Sequence, residues 1–285
     1  MPTKKEHYVP RFIINNFADK NGKVKIIDKN SKSVCAVTRS SDAVLFENNL
    51  YETKNLNGSF YKRNEIENKF ARIEGHISQV LKCLHDENGQ DRRLTGEEQV
   101  AFGLLVSLQL VRLPHMKRLI EDNPTNTLED VRFKCIQDNA MYRMMIDSRE
   151  SGIAYLKENG VELSTDAKDQ LQGQSFLDFT TSYILSNCAI YILIAPDNNP
   201  YVLCDKPVLI DRFADAKYIF LVAPRIAICC SLIEYASEKE FGGFINGKIE
   251  WIEKINSSPC KNANRFIVCP CGFESRVVER LEGKE

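Results

Sequence analysis

The sequence lacks an excess of charge of either sign and has few residues of the types that mark many catalytic sites. Its 285 residues carry 38 basic and 39 acidic side chains, a net charge of −1, with four histidines and one tryptophan. This balance excludes nucleic-acid binding through a global basic surface, so any such contact requires a local patch. Hydrophobic residues make up 43% of the chain and charged residues 27%, which is typical of a globular protein.

Long apolar segments are also missing. The most apolar stretch, residues 100–114, is about 15 residues long, too short to span a bilayer, and it contains Gln109 and Arg112. The polar beginning of the chain does not have the pattern of a secretory signal. We therefore expect a cytoplasmic protein that does not contact a membrane.

Familiar cofactor and metal motifs are missing as well. The chain has no P-loop, GxGxxG turn, HExxH helix or GxSxG elbow, so no organic cofactor is predicted. Its ten cysteines include no CxxC pair, and most lie within apolar segments. We expect them to be reduced and buried rather than to hold zinc. Among the histidines outside the N-terminal segment, only His115, beside Pro114, merits attention.

The order of patterns along the chain predicts an α+β fold in a single domain, residues 1–285. An N-terminal β-hairpin is expected over 7–40, where charged and apolar residues alternate at 23–28. A helical part follows over 60–187 and a mixed or antiparallel sheet over 188–272, to which the hairpin is expected to return. The predicted helices cover residues 62–85, 96–112 after a capping box at Thr95–Glu98, 128–159, 164–186 and 249–262.

The N-terminal segment, His7-Tyr8-Val9-Pro10-Arg11-Phe12, places a histidine and an arginine around a rigid proline. Histidine can serve as a general base or metal ligand near neutral pH. The planar fork of arginine can bind a carboxylate or a phosphate. The alternative is a buried strand in which both side chains bond to backbone carbonyls, and the residues alone leave both interpretations open.

Glu67 and Glu74 lie seven residues apart and share one face of the helix predicted over 62–85, beside its apolar stripe. Carboxylates at this boundary can hold a divalent cation or act as acid and base. The alternative is a solvated helix flank with local ion pairs to Arg63, Lys69 or Arg72.

Gln109 and Arg112 lie three residues apart on a helix that is apolar nearly all round, which predicts their burial. A buried arginine requires a carboxylate or a bound anion as its partner. That partner is either Glu67 or Glu74 in a structural ion pair, or a ligand. Asp205 follows an apolar strand and precedes a Lys-Pro pair, a position found both in active sites and in ordinary turns.

Several short motifs share the pattern of one known family. They are the N-terminal hexapeptide with Asn16-Phe17, Asn49-Leu-Tyr51, Ile66-Glu67 with Ile73-Glu74, Gln109-x-x-Arg112-x-Pro114, Asp205-Lys206-Pro207-Val208, Pro224, and Asn256 with the Ala-x-Arg-Phe run after it. Together they resemble a mostly bacterial family known as domain of unknown function 4238. Cys204 and Lys206 depart from its usual serine and asparagine. The resemblance implies that the scattered polar residues belong together, without implying an activity.

These residues lead to the hypothesis of an enzyme that hydrolyses a phosphate ester, above all in nucleic acid. It would use a divalent metal, Mg²⁺ or Mn²⁺, with His7 as general base or metal ligand. Glu67, Glu74 and Asp205 would be acids or further metal ligands. The bacterial setting alone suggests a nuclease in host defence or a toxin-like role.

In the same hypothesis Arg11 and Arg112 stabilise the phosphate, and Gln109 orients substrate or water. The first alternative is a non-catalytic binding or regulatory module, in which these polar residues form a buried network. The second is a pocket for a nucleotide or another anionic ligand without turnover.

Overall fold

A computed structural model describes residues 5–82, 84, 92–122, 131–162, 175–213 and 216–283. The strands and helices of these residues are, in chain order, β1 Lys5–His7, α1 Arg11–Asn16, β2 Lys23–Asp28, β3 Ala36–Ser40, β4 Phe46–Asn48, β5 Thr53–Lys54, β6 Phe60–Tyr61, α2 Glu65–Lys82, α3 Gly96–Val111, α4 Pro114–Glu121, α5 Val131–Ile146, α6 Arg149–Glu158, α7 Phe176–Asn187, β7 Cys188–Ile194, β8 Leu203–Cys204, β9 Val208–Phe213, β10 Ala216–Ala223, β11 Ile226–Leu232, β12 Phe244–Asn246, α8 Ile249–Asn262, β13 Phe266–Cys269 and α9 Glu274–Leu281. The predicted α+β class is confirmed.

The larger sheet has five strands in the order β12-β7-β11-β10-β9. Neighbouring strands are antiparallel except β12, which runs parallel to β7, so the sheet is mixed. Because side chains alternate along a strand, Ile190 and Ile192 of β7 join the core cluster that contains α3. Tyr191 and Leu193 join the cluster that contains Ile252 of α8. Both faces of the sheet are therefore covered by helices, and β7 is buried along its whole length.

The smaller sheet has four antiparallel strands in the order β3-β2-β13-β8. Strand β2 lies between its hairpin partner β3 and the C-terminal strand β13, with Asp28 opposite Phe266. The N-terminal hairpin thus pairs with a strand of the part predicted over 188–272, as expected, but in a sheet separate from the larger one. The hairpin is shorter than the predicted 7–40, because it consists of β2 and β3, while Arg11–Asn16 form α1. A separate two-stranded pairing joins β1 to β4.

The boundaries of α3 and α4 follow the local signals. Thr95 and Glu98 form the predicted capping box, with Glu98 N donating to Thr95 Oγ1 at 3.2 Å. Pro114 ends the apolar helical pattern and occupies the first turn of α4, where its missing N–H costs nothing.

Two of the predicted helical regions need more detail. The helical region expected over 128–159 contains two helices in its described part, 131–159, because α5 ends at Ile146 and Ser148 caps a new helix, α6, by accepting from Ser151 N at 3.1 Å. Helix α7 begins at Phe176, and residues 164–174 of the helix expected over 164–186 lie outside the described residues.

The described cysteines are free and mostly buried, as their apolar surroundings in the sequence predict. All nine cysteines in the part of the chain that the structure describes are free, and six of them are buried. Across the same residues, no helix combines the length and the apolarity needed to cross a membrane.

Candidate functional site

The N-terminal segment is built into the fold. Strand β1 pairs with β4, with His7 opposite Phe46, and Tyr8 N donates to Leu45 O at 3.1 Å. Val9 is fully buried, and the Pro10 carbonyl accepts the first backbone hydrogen bonds of α1. Pro10 fixes its own φ and favours an extended residue before it, so the chain changes from strand to helix at this point.

Gln109 and Arg112 hold this segment by its backbone. Gln109 Nε2 donates to the Tyr8 carbonyl at 2.8 Å, and the Arg112 guanidinium donates to the His7 carbonyl. Arg112 also forms an ion pair with Glu74, and its Nε donates to the Tyr51 hydroxyl at 3.0 Å. We name five residues the N-terminal clamp: His7 of β1, Tyr51 of the loop between β4 and β5, Glu74 of α2, Gln109 of α3 and Arg112 directly after α3. The structural ion pair left open by the sequence is present, with Glu74 as the partner.

Buried carboxyl groups surround the clamp. Glu6 is fully buried and accepts from Tyr51 N at 2.7 Å. Burial raises the pKa of Glu6 to about 8, and the neighbouring carboxyls of Glu52 and Glu67 raise it further against that hydrogen bond. Burial likewise raises the pKa of Glu67 to about 7, with Arg112 opposing the shift. A protonated Glu6 at neutral pH relieves the repulsion among these groups.

His7 is a poor general base in this position. Burial, together with the positive charges of Arg11 and Arg112, lowers its pKa to about 4. Its ring packs at a tilt against Phe46, with 5.7 Å between centroids, and its Nε2 has no hydrogen-bond partner among the described residues. Arg11 extends to the surface, where it forms an exposed ion pair with Asp42.

Asp205 ties two strands of the smaller sheet together. It follows β8, and its carboxylate accepts the backbone N–H groups of Asn264 at 2.8 Å, Arg265 at 2.7 Å and Phe266 at 2.9 Å. These three bonds fix the beginning of β13 beside the end of β8. The Lys-Pro pair after Asp205 indicated a turn, but the distant partners of its carboxylate have no signal in the sequence.

The predicted metal ligands do not form one group. Among the residues that the structure describes, no three His, Cys, Asp or Glu side chains are placed to hold a metal ion together. Glu74 faces Arg112, and the oxygens of Asp205 face backbone N–H groups. His7, Glu67, Glu74 and Asp205 are thus not brought to a common centre, and the dependence on Mg²⁺ or Mn²⁺ stays a prediction.

An open cleft of about 390 Å³ lies where several of the motifs meet. Its walls come from the N-terminal segment, β4, the beginning of α4, the end of β8 and the beginning of β13; six of the lining residues are Tyr8, Phe46, Pro114, Arg118, Asp205 and Arg265. The clamp is connected to this cleft through Tyr8, which lines the cleft and whose carbonyl accepts a hydrogen bond from Gln109.

Two exposed arginines line the cleft. Arg118 pairs with Glu47 at 3.0 Å, and Arg265 Nε donates to Asp28 at 2.9 Å, with both arginine side chains more than half exposed. Sequence reasoning missed both, because an exposed arginine without a periodic pattern looks like ordinary surface. The only pointer was the Arg-Phe pair at 265–266 within the family-like motif.

His115 lies beside this cleft in the chain, between the lining residues Pro114 and Arg118. Burial and the positive charges of Lys206 and Arg118 lower its pKa. These effects favour its neutral imidazole, although His115 itself is not among the residues that line the cleft.

The comparison with known families agrees with the motifs. The family model described as a protein of unknown function, DUF4238, matches residues 5–269. No curated protein and no solved structure is significantly similar to the chain. The matched range contains the clamp, the cleft and all but the last helix.

Proposed function

The chain belongs to this family of unknown function, and from its geometry we propose that it binds a phosphate-bearing ligand in the cleft. One observation carries the proposal: segments far apart in the sequence meet at one open cleft that presents two exposed guanidinium groups, Arg118 and Arg265.

The chemistry of the cleft suits a phosphate. The guanidinium fork matches phosphate oxygens with two parallel hydrogen bonds. Arg118 and Arg265 now pair with Glu47 and Asp28, and exposed pairs of this kind contribute at most about 1 kcal/mol each. A phosphate can therefore replace the carboxylates at little cost. Burial keeps the pKa of Tyr8 above its ordinary value, so its hydroxyl remains a neutral donor at the wall.

The clamp supports this proposal as a scaffold. Arg112 and Gln109 are buried and bonded to the backbone of His7 and Tyr8. Their role is then to position Tyr8, which lines the cleft, rather than to touch a ligand. This corresponds to the binding module that the sequence left open as an alternative.

Hydrolysis of a phosphate ester, with a divalent metal, is a second candidate. The observation that favours it is the position of His115 in α4, between Pro114 and Arg118 of the cleft lining, where burial and the positive charges of Lys206 and Arg118 lower its pKa. An unprotonated imidazole near a bound phosphate can accept a proton from water.

The binding test uses inorganic phosphate and ribose 5-phosphate, with calorimetry as the readout. Arg118→Gln and Arg265→Gln are expected to weaken binding roughly tenfold or more, since hydrogen bonds to charged groups are the strong ones. Arg93→Gln is the matched control, because Arg93 is a similarly exposed arginine, paired with Glu238, that does not line the cleft. Absence of binding by the unchanged protein, or equal losses in all three variants, would overturn the proposal.

The hydrolysis test uses single-stranded and duplex DNA, RNA and nucleotides with Mg²⁺, Mn²⁺ or a chelator. A hydrolase is expected to release product only with the metal and to lose that activity in His115→Gln, while His115→Gln still binds phosphate. Product release without metal, or equal release by His115→Gln, contradicts this second candidate.

A further inference from the structure

A second cavity adjoins the cleft. It measures about 420 Å³, and the two share Phe46, Arg265 and Phe266 in their walls. Both volumes lie in the range of small-molecule sites, and a ligand that occupied both would pass over these three shared side chains. We name this second space the apolar cavity.

The two spaces differ in chemistry. The apolar cavity is lined mainly by hydrophobic side chains; its lining includes Ile26, Val37, Val44, Leu45, Phe46 and Phe266. The cleft is polar and contains Arg118 and Asp205. A ligand that fills both therefore needs an apolar part at one end and a charged part at the other.

The wall between them favours a flat apolar group. Phe46 and Phe266 are half-buried, and the guanidinium carbon of Arg265 lies 4.6 Å from the centroid of the Phe266 ring. A planar cation stacked on an aromatic ring in this way offers a further stacking surface to a base. Arg265 thus belongs to both spaces and can contact a base and a phosphate at once.

We propose that the ligand is a nucleoside phosphate, with its base in the apolar cavity and its phosphate in the cleft between Arg118 and Arg265. The proposal rests on the proposed function, because the phosphate end is the same site. The chemistry of the two linings decides the orientation, since hydrophobic side chains dominate the apolar cavity and suit a base, while the polar cleft presents the guanidinium groups of Arg118 and Arg265 to a phosphate, beside Glu47 and Asp205. A mononucleotide and the terminal nucleotide of a single strand share this chemistry.

The first measurement compares ligands that differ only in the base. Adenosine 5′-monophosphate is expected to bind at least roughly tenfold more tightly than ribose 5-phosphate, from base stacking. Equal affinity would overturn the nucleotide proposal and leave phosphate binding standing. Absence of binding for both would overturn both proposals. A short single strand with a terminal phosphate is the second arm: tighter binding than the mononucleotide identifies the strand end as the ligand, and equal binding identifies the free nucleotide.

The second measurement uses neighbouring residues of β3. Val37 lines the apolar cavity and is 38% exposed. Val37→Asp places a charge against the base. It is expected to weaken the binding of adenosine 5′-monophosphate about tenfold and to leave the binding of ribose 5-phosphate unchanged. Thr38→Asp is the matched control, because Thr38 faces the other side of the strand and is also exposed. Equal effects of the two variants, or loss of ribose 5-phosphate binding in Val37→Asp with an unaltered melting temperature, would contradict the placement of the base.

Discussion

At the scale of single residues, Arg112 is the side chain on which the clamp depends. It is 1% exposed, pairs with Glu74 and donates to the His7 carbonyl. Arg112→Leu leaves a carboxylate and a carbonyl without their partner, so we expect the free energy of unfolding to fall by about 3–5 kcal/mol. Urea unfolding followed by circular dichroism measures this. Arg11→Gln, which removes the exposed pair with Asp42, should cost less than about 1 kcal/mol, and equal losses would contradict the clamp.

Glu6 makes the stability depend on pH. Its pKa is raised from 4.5 to about 8 in the folded state, so between these values the folded chain binds a proton that the unfolded chain has released. Stability therefore falls as the pH rises through this window. Glu6→Gln keeps an acceptor for Tyr51 N and cannot ionise.

We expect the free energy of unfolding of Glu6→Gln to fall less than that of the unchanged protein between pH 5 and pH 8, by roughly 2–4 kcal/mol. Urea titrations at four pH values across this window give the two curves. Glu67, whose pKa is raised to about 7, gives both proteins a further pH dependence in the same direction. Parallel curves would mean that Glu6 is ionised in the folded state.

At the scale of elements, Asp205 joins β8 to β13 through three backbone N–H groups. Asp205→Ala removes both oxygens that accept these three hydrogen bonds and should destabilise the protein by about 2–4 kcal/mol. Asp205→Asn keeps one oxygen without the charge, so its stability should lie between that of the unchanged protein and that of Asp205→Ala. The specific readout is amide hydrogen exchange of Asn264, Arg265 and Phe266, which should accelerate. Unchanged protection of these amides would show that other contacts hold the strand.

Local signals predicted some elements and missed others for identifiable reasons. The capping box at Thr95 and the alternation of β2 are fixed within a few residues, so both were predictable. The break at Ser148 has no proline near it and Gly152 lies inside α6, so the cap at Ser148 became visible only with α6 in place. Strand β9 follows a Lys-Pro pair and becomes a strand through its ladder with β10, which lies later in the chain.

Some features of the site were likewise predictable from the sequence and others were not. Burial of Arg112 followed from an apolar helix, and its need for a carboxylate limited the partner to few residues. Glu6 gave no such signal, because it lies in a polar stretch at the start of the chain and its hydrogen-bond partner, Tyr51 N, comes from a distant part of the sequence. The cleft arginines are brought together only by the return of β13 to β2.

At the scale of the whole molecule, one hydrophobic core connects the parts that the sequence placed in a hairpin, a helical region and a sheet. The largest buried cluster contains Tyr8 from the N-terminal segment, Phe102 from α3, Ile192 from β7 and Val268 from β13. The clamp adds polar contacts between the N-terminal segment and the C-terminal end of α3. Such shared burial favours the single domain predicted from the sequence, in which no part keeps its core when another unfolds.

The single tryptophan makes this prediction measurable. Trp251 lies in α8 and packs against the cluster on the far face of the larger sheet, away from the clamp. Its fluorescence reports that face, whereas far-ultraviolet circular dichroism reports mainly the helices. A single cooperative domain should give coincident urea transitions by the two probes, and Arg112→Leu should shift both midpoints together. If the helical signal is lost at a lower urea concentration than the Trp251 signal, the chain contains two separately folding units, joined by the clamp.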